Sequence, residues 1–452
     1  MKALLVGGNT VGAAVREREP RADGFRHIDT PALVRRLRDL AADTYLFGIW
    51  DSPTDFDDLR REFLPAAAAA GIDVIPYLVP PTETNATGRA SRPFLLNFVT
   101  WATELAELST RHKNLVGWAI DEFEFEFNAQ LFTPEYLQSF VSAAQAVNPD
   151  FRFYTCAFHA AATSAEFLDK YGEYVDGIIY PFLDGDHENT SVAESLGDCL
   201  DAILELTRPR DLELIPLIYT GRYLDAPLAP TEEYVAAALE IAAKYAADGR
   251  IDGVVAYGTQ LDDAPTPASD NKAMYGVGRL ALIAPRGPIR AGATATASQV
   301  VAVDPTSPRY EISFWYHRWF HAHGVEPGIH RLELLIDDEI VWEIDIAEQN
   351  WPVWTQGDGM MGPVDVTAAV RGRPRVQVTF RLRTLRDTTL SYVDIGVDNL
   401  ETIGLSLLNG GFDEQSDWTM ASSGPLLALI DHFVTDRPAR IRAAVARSYR
   451  RY

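Results

Sequence analysis

At 452 residues the chain is too long for one ordinary core, so two or more domains are expected. Hydrophobic residues at 47% and charged ones at 23% are the composition of a globular protein, which excludes a largely disordered chain. A formal net charge of −24 repels phosphate backbones and anionic lipid, so nucleic-acid and membrane partners are not expected and a neutral ligand is the easier one.

From the start to residue 283, strand-like and helix-like stretches alternate. Residues 2–6 form a first apolar run. A helix over 31–42 follows, with Thr30 as its cap and Pro31 in its first turn. Further strands are expected at 44–50 and 72–79, with a helix over 55–70 between them and one from Ser91 to Thr110 after. The fourth strand is the apolar run Leu115 to Ile120, and Thr133-Pro134-Glu135 opens the helix that Asn148-Pro149 stops. Strands at 151–158, 175–182, 212–219 and 251–257 complete the set, with helices at 163–171, 192–207, 231–247 and 270–283. Eight β–α units in roughly 280 residues are the repeat of a (β/α)8 TIM barrel, with a doubly wound open sheet as the alternative.

Residues 284–298 (APRGPIRAGATATAS) read as a linker by their Pro, Gly, Ala and Thr content. Beyond them the period changes to two, at 310–316, 330–336, 340–346, 376–382 and 391–397. Residues 299–432 are therefore expected to form an all-β jelly roll or β-sandwich. The tail 433–452 carries six arginines against one aspartate and reads as a solvated or barrel-docking helix. No 18-residue apolar run occurs. The chain as given is expected to be cytoplasmic, or secreted if a leader was removed. Cys156 and Cys199, the two cysteines, are too few for a disulfide framework and read as small buried residues.

In a barrel, functional groups come from the carboxyl ends of the strands. Those ends here are Trp50 and Asp51; Tyr77 and Glu83; Asp121, Glu122 and Glu124; His159; Tyr180, Asp184 and Asp186; Tyr219 and Arg222; then Tyr257, Gln260, Asp262 and Asp263. The set is acidic and aromatic. Aromatic faces stack on sugar C–H surfaces, and two carboxyls can divide acid and base or nucleophile work. Crowding Asp121, Glu122 and Glu124 raises one of their pKa values, because neighbouring like charges disfavour ionisation. Asp121 or Glu122 is the expected acid/base, with Asp184 as partner. Trp50, Tyr77, Tyr180, Tyr219 and Tyr257 are the expected sugar platforms, and Asp51, Glu124, His159 and Gln260 the expected hydrogen-bonders. Strand alternation puts Asp121 and Glu122 on opposite faces unless the chain kinks between them. No cofactor is called for. A hard-cation site on the three acids is a weaker alternative, and His317, His321, His323 and His330 are expected to be exposed loop residues.

The runs GWAIDEF and DGIIYPFLD resemble strands four and six of glycoside hydrolase superfamily barrels. NLVGWAIDEF, FTPEY, NP and DGIIYP together resemble a group of bacterial barrel proteins whose fourth strand ends I-D-D-F, with Glu122 replacing the second aspartate. The resemblance spans about residues 25–260. It implies that Asp121 and Glu122 are site residues and that Tyr180 lines the pocket, and it supplies no reaction. LIPLIYTGRY lacks the strand-seven acid of the retaining clan with glutamates after strands four and seven, and the chitinase spacing is not met. LLIDDEIVWEIDI and VDVTAAVRG look like a galactose-binding-type jelly roll. The expectation is a glycoside hydrolase acting on an oligo- or polysaccharide; a non-catalytic glycan-binding protein is the alternative.

Overall fold

The computed structural model describes residues 3–7, 15–50, 52–82, 90–124, 126–183, 190, 192–222, 229–261, 276–285, 287–321, 326–347, 354–389, 393–432 and 436–451. Eight parallel strands close a barrel in sequence order: β1 (Ala3–Gly7), β2 (Thr44–Ile49), β3 (Asp73–Leu78), β4 (Gly117–Ile120), β5 (Arg152–Cys156), β6 (Gly177–Phe182), β7 (Glu213–Tyr219) and β8 (Gly253–Tyr257). The pairing of β1 with β8, in register from Ala3 opposite Gly253 to Gly7 opposite Tyr257, is what closes it.

Alternation along the strands builds two cores. Leu5, Leu46, Ile75, Ala119, Ile179, Ile215, Leu217 and Val255 fill the barrel interior. Their neighbours Leu4, Tyr45, Val74, Trp118, Phe153, Ile178 and Val254 point outward, under the helices. An aspartate just ahead of three strands fixes where the previous strand begins. Asp43 accepts the Leu4 N–H at 2.8 Å, Asp176 the Phe153 N–H at 2.7 Å and Asp252 the Leu214 N–H at 2.9 Å. Each satisfies an amide that the ladder leaves open.

The outer ring contains α1 (Thr30–Asp39), α2 (Asp55–Asp58), a π turn, α3 (Leu64–Ala69), α4 (Phe98–Arg111), α5 (Glu126–Leu131), α6 (Pro134–Val147), α7 (His159–Ala162), α8 (Ala165–Tyr171), α9 (Leu196–Thr207) and α10 (Glu232–Ala247). Thr133 and Thr231 cap α6 and α10 by accepting backbone N–H groups. The expected helix over 270–283 is corrected. Residues up to 275 lie outside those described, and Gly278–Ala284 is strand β9 of the second domain.

That domain is a sandwich of antiparallel sheets. One runs β13 (Glu339–Asp345), β12 (His330–Ile336), β15 (Arg375–Thr384), β10 (Thr294–Val303), β17 (Leu405–Ser406), with β18 (Thr419–Ser422) also on β10. The other runs β14 (Trp354–Asp365), β11 (Glu311–His321), β16 (Val393–Ile403), β9, β19 (Leu427–His432). One short helix, α11 (Thr367–Val370), interrupts it. The expected linker over 284–298 is also corrected, because its Ala-Thr repeat is an alternating strand with Ala295 and Ala297 in the core. His317 and His330 are buried strand residues, not loop residues, at 2% and 0% exposure.

The Arg-rich tail returns to the barrel as α12 (Arg437–Tyr449), which buries Ile441, Ala444, Val445 and Tyr449 in the barrel's outer core. Arg447 pairs with Glu232 of α10 and Arg450 donates to the Asp39 carbonyl of α1, so α12 bridges those two helices. The Tyr449 hydroxyl accepts the Ala256 N–H at 3.0 Å and donates to the Leu5 carbonyl, across the β8–β1 seam. The sandwich is thus inserted between β8 and a helix of the barrel's own outer ring.

Candidate active site

The end of β4 is organised by a kink. Asp121 continues the strand, with its N–H on the Leu78 carbonyl at 2.9 Å, and Phe123 returns an N–H to the Cys156 carbonyl at 3.2 Å. Between them Glu122 has φ +40°, a left-handed conformation that costs a non-glycine residue roughly 1 kcal/mol or more. Asn128 pins this turn by donating to the Glu122 carbonyl at 2.5 Å and to Thr82 Oγ1 at 2.9 Å. Phe123 anchors it from outside, stacked on Phe132 with centroids 4.3 Å apart. The kink is the exception that strand alternation required.

Its consequence is a division of labour among the acids. Asp121 Oδ1 accepts the Tyr77 hydroxyl at 2.6 Å and the Glu122 N–H at 2.9 Å. Two donors on one carboxylate oxygen favour its charged form. The Glu122 carboxylate accepts from Thr82 Oγ1 at 3.2 Å. Glu124 Oε1 accepts the Phe158 N–H at 2.7 Å, while Oε2 is buried with no partner among the described residues. Burial, aided by the Asp121 charge and opposed by the Phe158 amide, pushes the Glu124 carboxyl up to about 7.

Trp50, Tyr77, Tyr257 and Tyr219, from the ends of β2, β3, β8 and β7, form a chain of edge-to-face rings with centroids 5.3, 6.4 and 5.6 Å apart. The barrel end therefore has an aromatic arc and, on β4, an acidic one. Trp50, Tyr77 and Tyr219 are buried, at 2%, 1% and 7% exposure, and Tyr257 is part-exposed. Below the acids lies the Cys156 thiol, which burial and the Asp121 and Glu124 charges hold well above the ordinary thiol range.

Tyr180 is the clear correction. It is fully buried in the outer core, because its neighbour Ile179 takes the inward position on β6. His159 is exposed at the start of α7 by residue surface; partial desolvation lowers its pKa, and its ring lies 6.2 Å from that of Tyr180. Gln260 lies past β8, where its carbonyl accepts from Arg442 of α12 at 2.9 Å. Asp51, Glu83, Asp184, Asp186, Asp262 and Asp263 lie outside the described residues. Cys156 is the small buried residue the sequence suggests, but its place beside the acids and the Thr82–Asn128 clamp went unread. The inward phase of β5 identifies the first, and no residue pattern signals the second.

No family model matches the chain, and no curated protein does. Solved structures similar to it are glycoside hydrolases. A glucosidase from Croceicoccus marinus is 9% identical over 85% of this chain and 96% of its own, with a TM-score of 0.37. A calcium-binding mutant of Bacteroides uniformis beta-glucuronidase 2 is 7% identical over 87% of this chain and 65% of its own, with a TM-score of 0.44. The GH99 endo-alpha-mannosidase from Bacteroides thetaiotaomicron is 14% identical over 56% of this chain and 76% of its own, with a TM-score of 0.35. At TM-scores below 0.5 these are likenesses of outline, and the chemistry has to come from the side chains themselves.

Proposed function

We propose that the protein is a glycoside hydrolase in which Glu124 is the general acid. One observation carries the reading: Glu124, with one buried oxygen that has no partner among the described residues and a carboxyl pushed up to about 7, shares the end of β4 with Asp121, whose carboxylate accepts two donors, at the aromatic-lined end of a barrel. Glycoside cleavage needs one carboxyl that keeps its proton near neutrality and a second that stays ionised. Glu124 fits the first role, and Asp121 fits the second. Asp184, two residues past β6, is the other candidate for the ionised partner. The acid protonates the leaving oxygen while the ionised group stabilises the positive charge that develops on the sugar or activates water. Tyr257 would offer a ring face to the sugar, with Tyr219 packed behind it and His159 and Gln260 at the rim. Glu122, clamped by Thr82 and Asn128, would hold the kink in place of the acid role.

The test is a screen of aryl glycosides and oligosaccharides with Glu124→Gln, Asp121→Asn and Asp184→Asn alongside the parent. Loss of turnover by roughly 10²–10⁴-fold in Glu124→Gln is expected, as for a removed general acid. A leaving group that needs no protonation would restore much of it. Undiminished turnover in Glu124→Gln would overturn the assignment. Tight glycan binding with no turnover of any substrate would support the non-catalytic alternative instead.

A further inference from the structure

The ring of Tyr77 meets those of Trp50 and Tyr257 edge to face, with centroids 5.3 and 6.4 Å away, and Tyr77 is 1% exposed. At that exposure it has no surface left for a sugar. Its hydroxyl instead reaches Asp121 Oδ1 at 2.6 Å, across the β3–β4 ladder in which Tyr77 pairs with Ala119. The same oxygen takes the Glu122 N–H at the kink. Ring packing, ladder register and kink thus aim at one carboxylate oxygen.

We propose that Tyr77 is a positioning residue, which fixes Asp121 in one orientation and one charge state by donating its hydroxyl hydrogen bond. The proposal rests on the glycoside hydrolase reading of the site. Burial and the Asp121 charge both oppose ionisation of the phenol, so it remains a donor across the working pH range. A short bond to a charged acceptor is also among the stronger hydrogen bonds a protein makes. Asp121, held charged, then adds to the burial that keeps the proton on Glu124. Tyr77 acts on the reaction through Asp121, without touching substrate.

The experiment compares Tyr77→Phe with the parent, since phenylalanine keeps the ring and removes the donor. Carboxyl ¹³C NMR of aspartate-labelled protein should show Asp121 titrating at higher pH in the variant. With a substrate in hand, the acid limb of the kcat profile should move up with it. At neutral pH kcat should fall by roughly tenfold or more, the usual worth of a hydrogen bond to a charged group, while KM changes less. If Tyr77→Phe does not fold, fluorotyrosine at position 77 keeps the shape and strengthens the donor, and Asp121 should then titrate lower. An unmoved Asp121 titration overturns the proposal, whatever happens to kcat. The two readings fail separately. A shifted titration in a protein that cleaves no glycoside would keep the clamp and sink the enzyme, and cleavage with an unshifted titration would do the reverse.

Discussion

Charge is buried in two places, and the two are handled in opposite ways. On the outer face of β9, β11, β16 and β19, Arg279 donates to both oxygens of Asp394, at 2.8 and 3.1 Å, and to Asp431 at 3.1 Å. It also reaches His317 Nε2 at 3.0 Å, and Asp431 takes a second arginine, Arg222 from the barrel just past β7, at 3.2 Å. Burial works against the Arg279 charge, but Asp394 and Asp431 outweigh it and hold the group above its ordinary range. At the barrel end, three acids crowd within four residues; Asp121 accepts from a hydroxyl and an amide, and burial pushes the Glu124 carboxyl up to about 7. A buried charge is either paired or neutralised. Pairing welds sandwich to barrel. At the barrel end burial instead favours the proton on Glu124.

The comparison breaks first at the weld. Arg279→Leu would take the arginine from Asp394, which is 0% exposed, and leave Asp431 to Arg222; removing one partner of a buried pair costs about 3–5 kcal/mol. Urea denaturation of the full chain should show that loss. A change below about 1 kcal/mol would mean the network is solvated and the contrast false.

Glu124 should show the opposite sign. Its carboxyl titrates at about 7 in the folded chain against 4.5 ordinarily, so between those values the folded state holds a proton that the unfolded chain has released. Stability therefore falls as pH rises through that window, by about 3 kcal/mol in all, and the loss is complete above it. Glu124→Gln carries no such charge. It should be more stable than the parent at pH 8 and indistinguishable from it near pH 4, read as unfolding free energy against pH. An equal pH slope in both proteins would show that Glu124 titrates normally.

Which parts were legible in the sequence follows from the same physics. All eight barrel strands could be read because short apolar runs alternate with helical segments, and type follows from that alternation of elements. The sandwich was legible in its alternating middle and not at β9, where GRLALIA is buried on both faces. A continuous apolar run does not distinguish helix from strand. One face of β9 meets the sandwich core and the other carries Arg279 into the weld, a pairing 115 residues apart in the chain that no local pattern encodes. Tyr180 was misplaced by reading its position at the strand's end, and a family likeness, over the strand's own phase. At the site, the acidic cluster was plain, but the choice of Glu124 over Glu122 depends on a left-handed residue that composition does not announce. A glycine at 122 would have announced it.

That substitution gives the smallest expected effect and the sharpest use of the comparison. Glu122→Gly removes the penalty of φ +40° and gives up the Thr82 hydrogen bond, which is part-exposed. Relief of a left-handed non-glycine residue offsets a bond of that kind, so stability should change by less than about 1 kcal/mol. Turnover should change more than stability does. Glycine lets the segment between Asp121 and Glu124 sample other conformations, and the Phe158 amide alone then holds Glu124 where its carboxyl stays buried. Carboxyl titration should accordingly place Glu124 lower than in the parent, moving the alkaline limb of activity down. An unchanged limb would mean that β5, through Phe158, sets the acid's environment, with the kink a consequence of packing around Phe123.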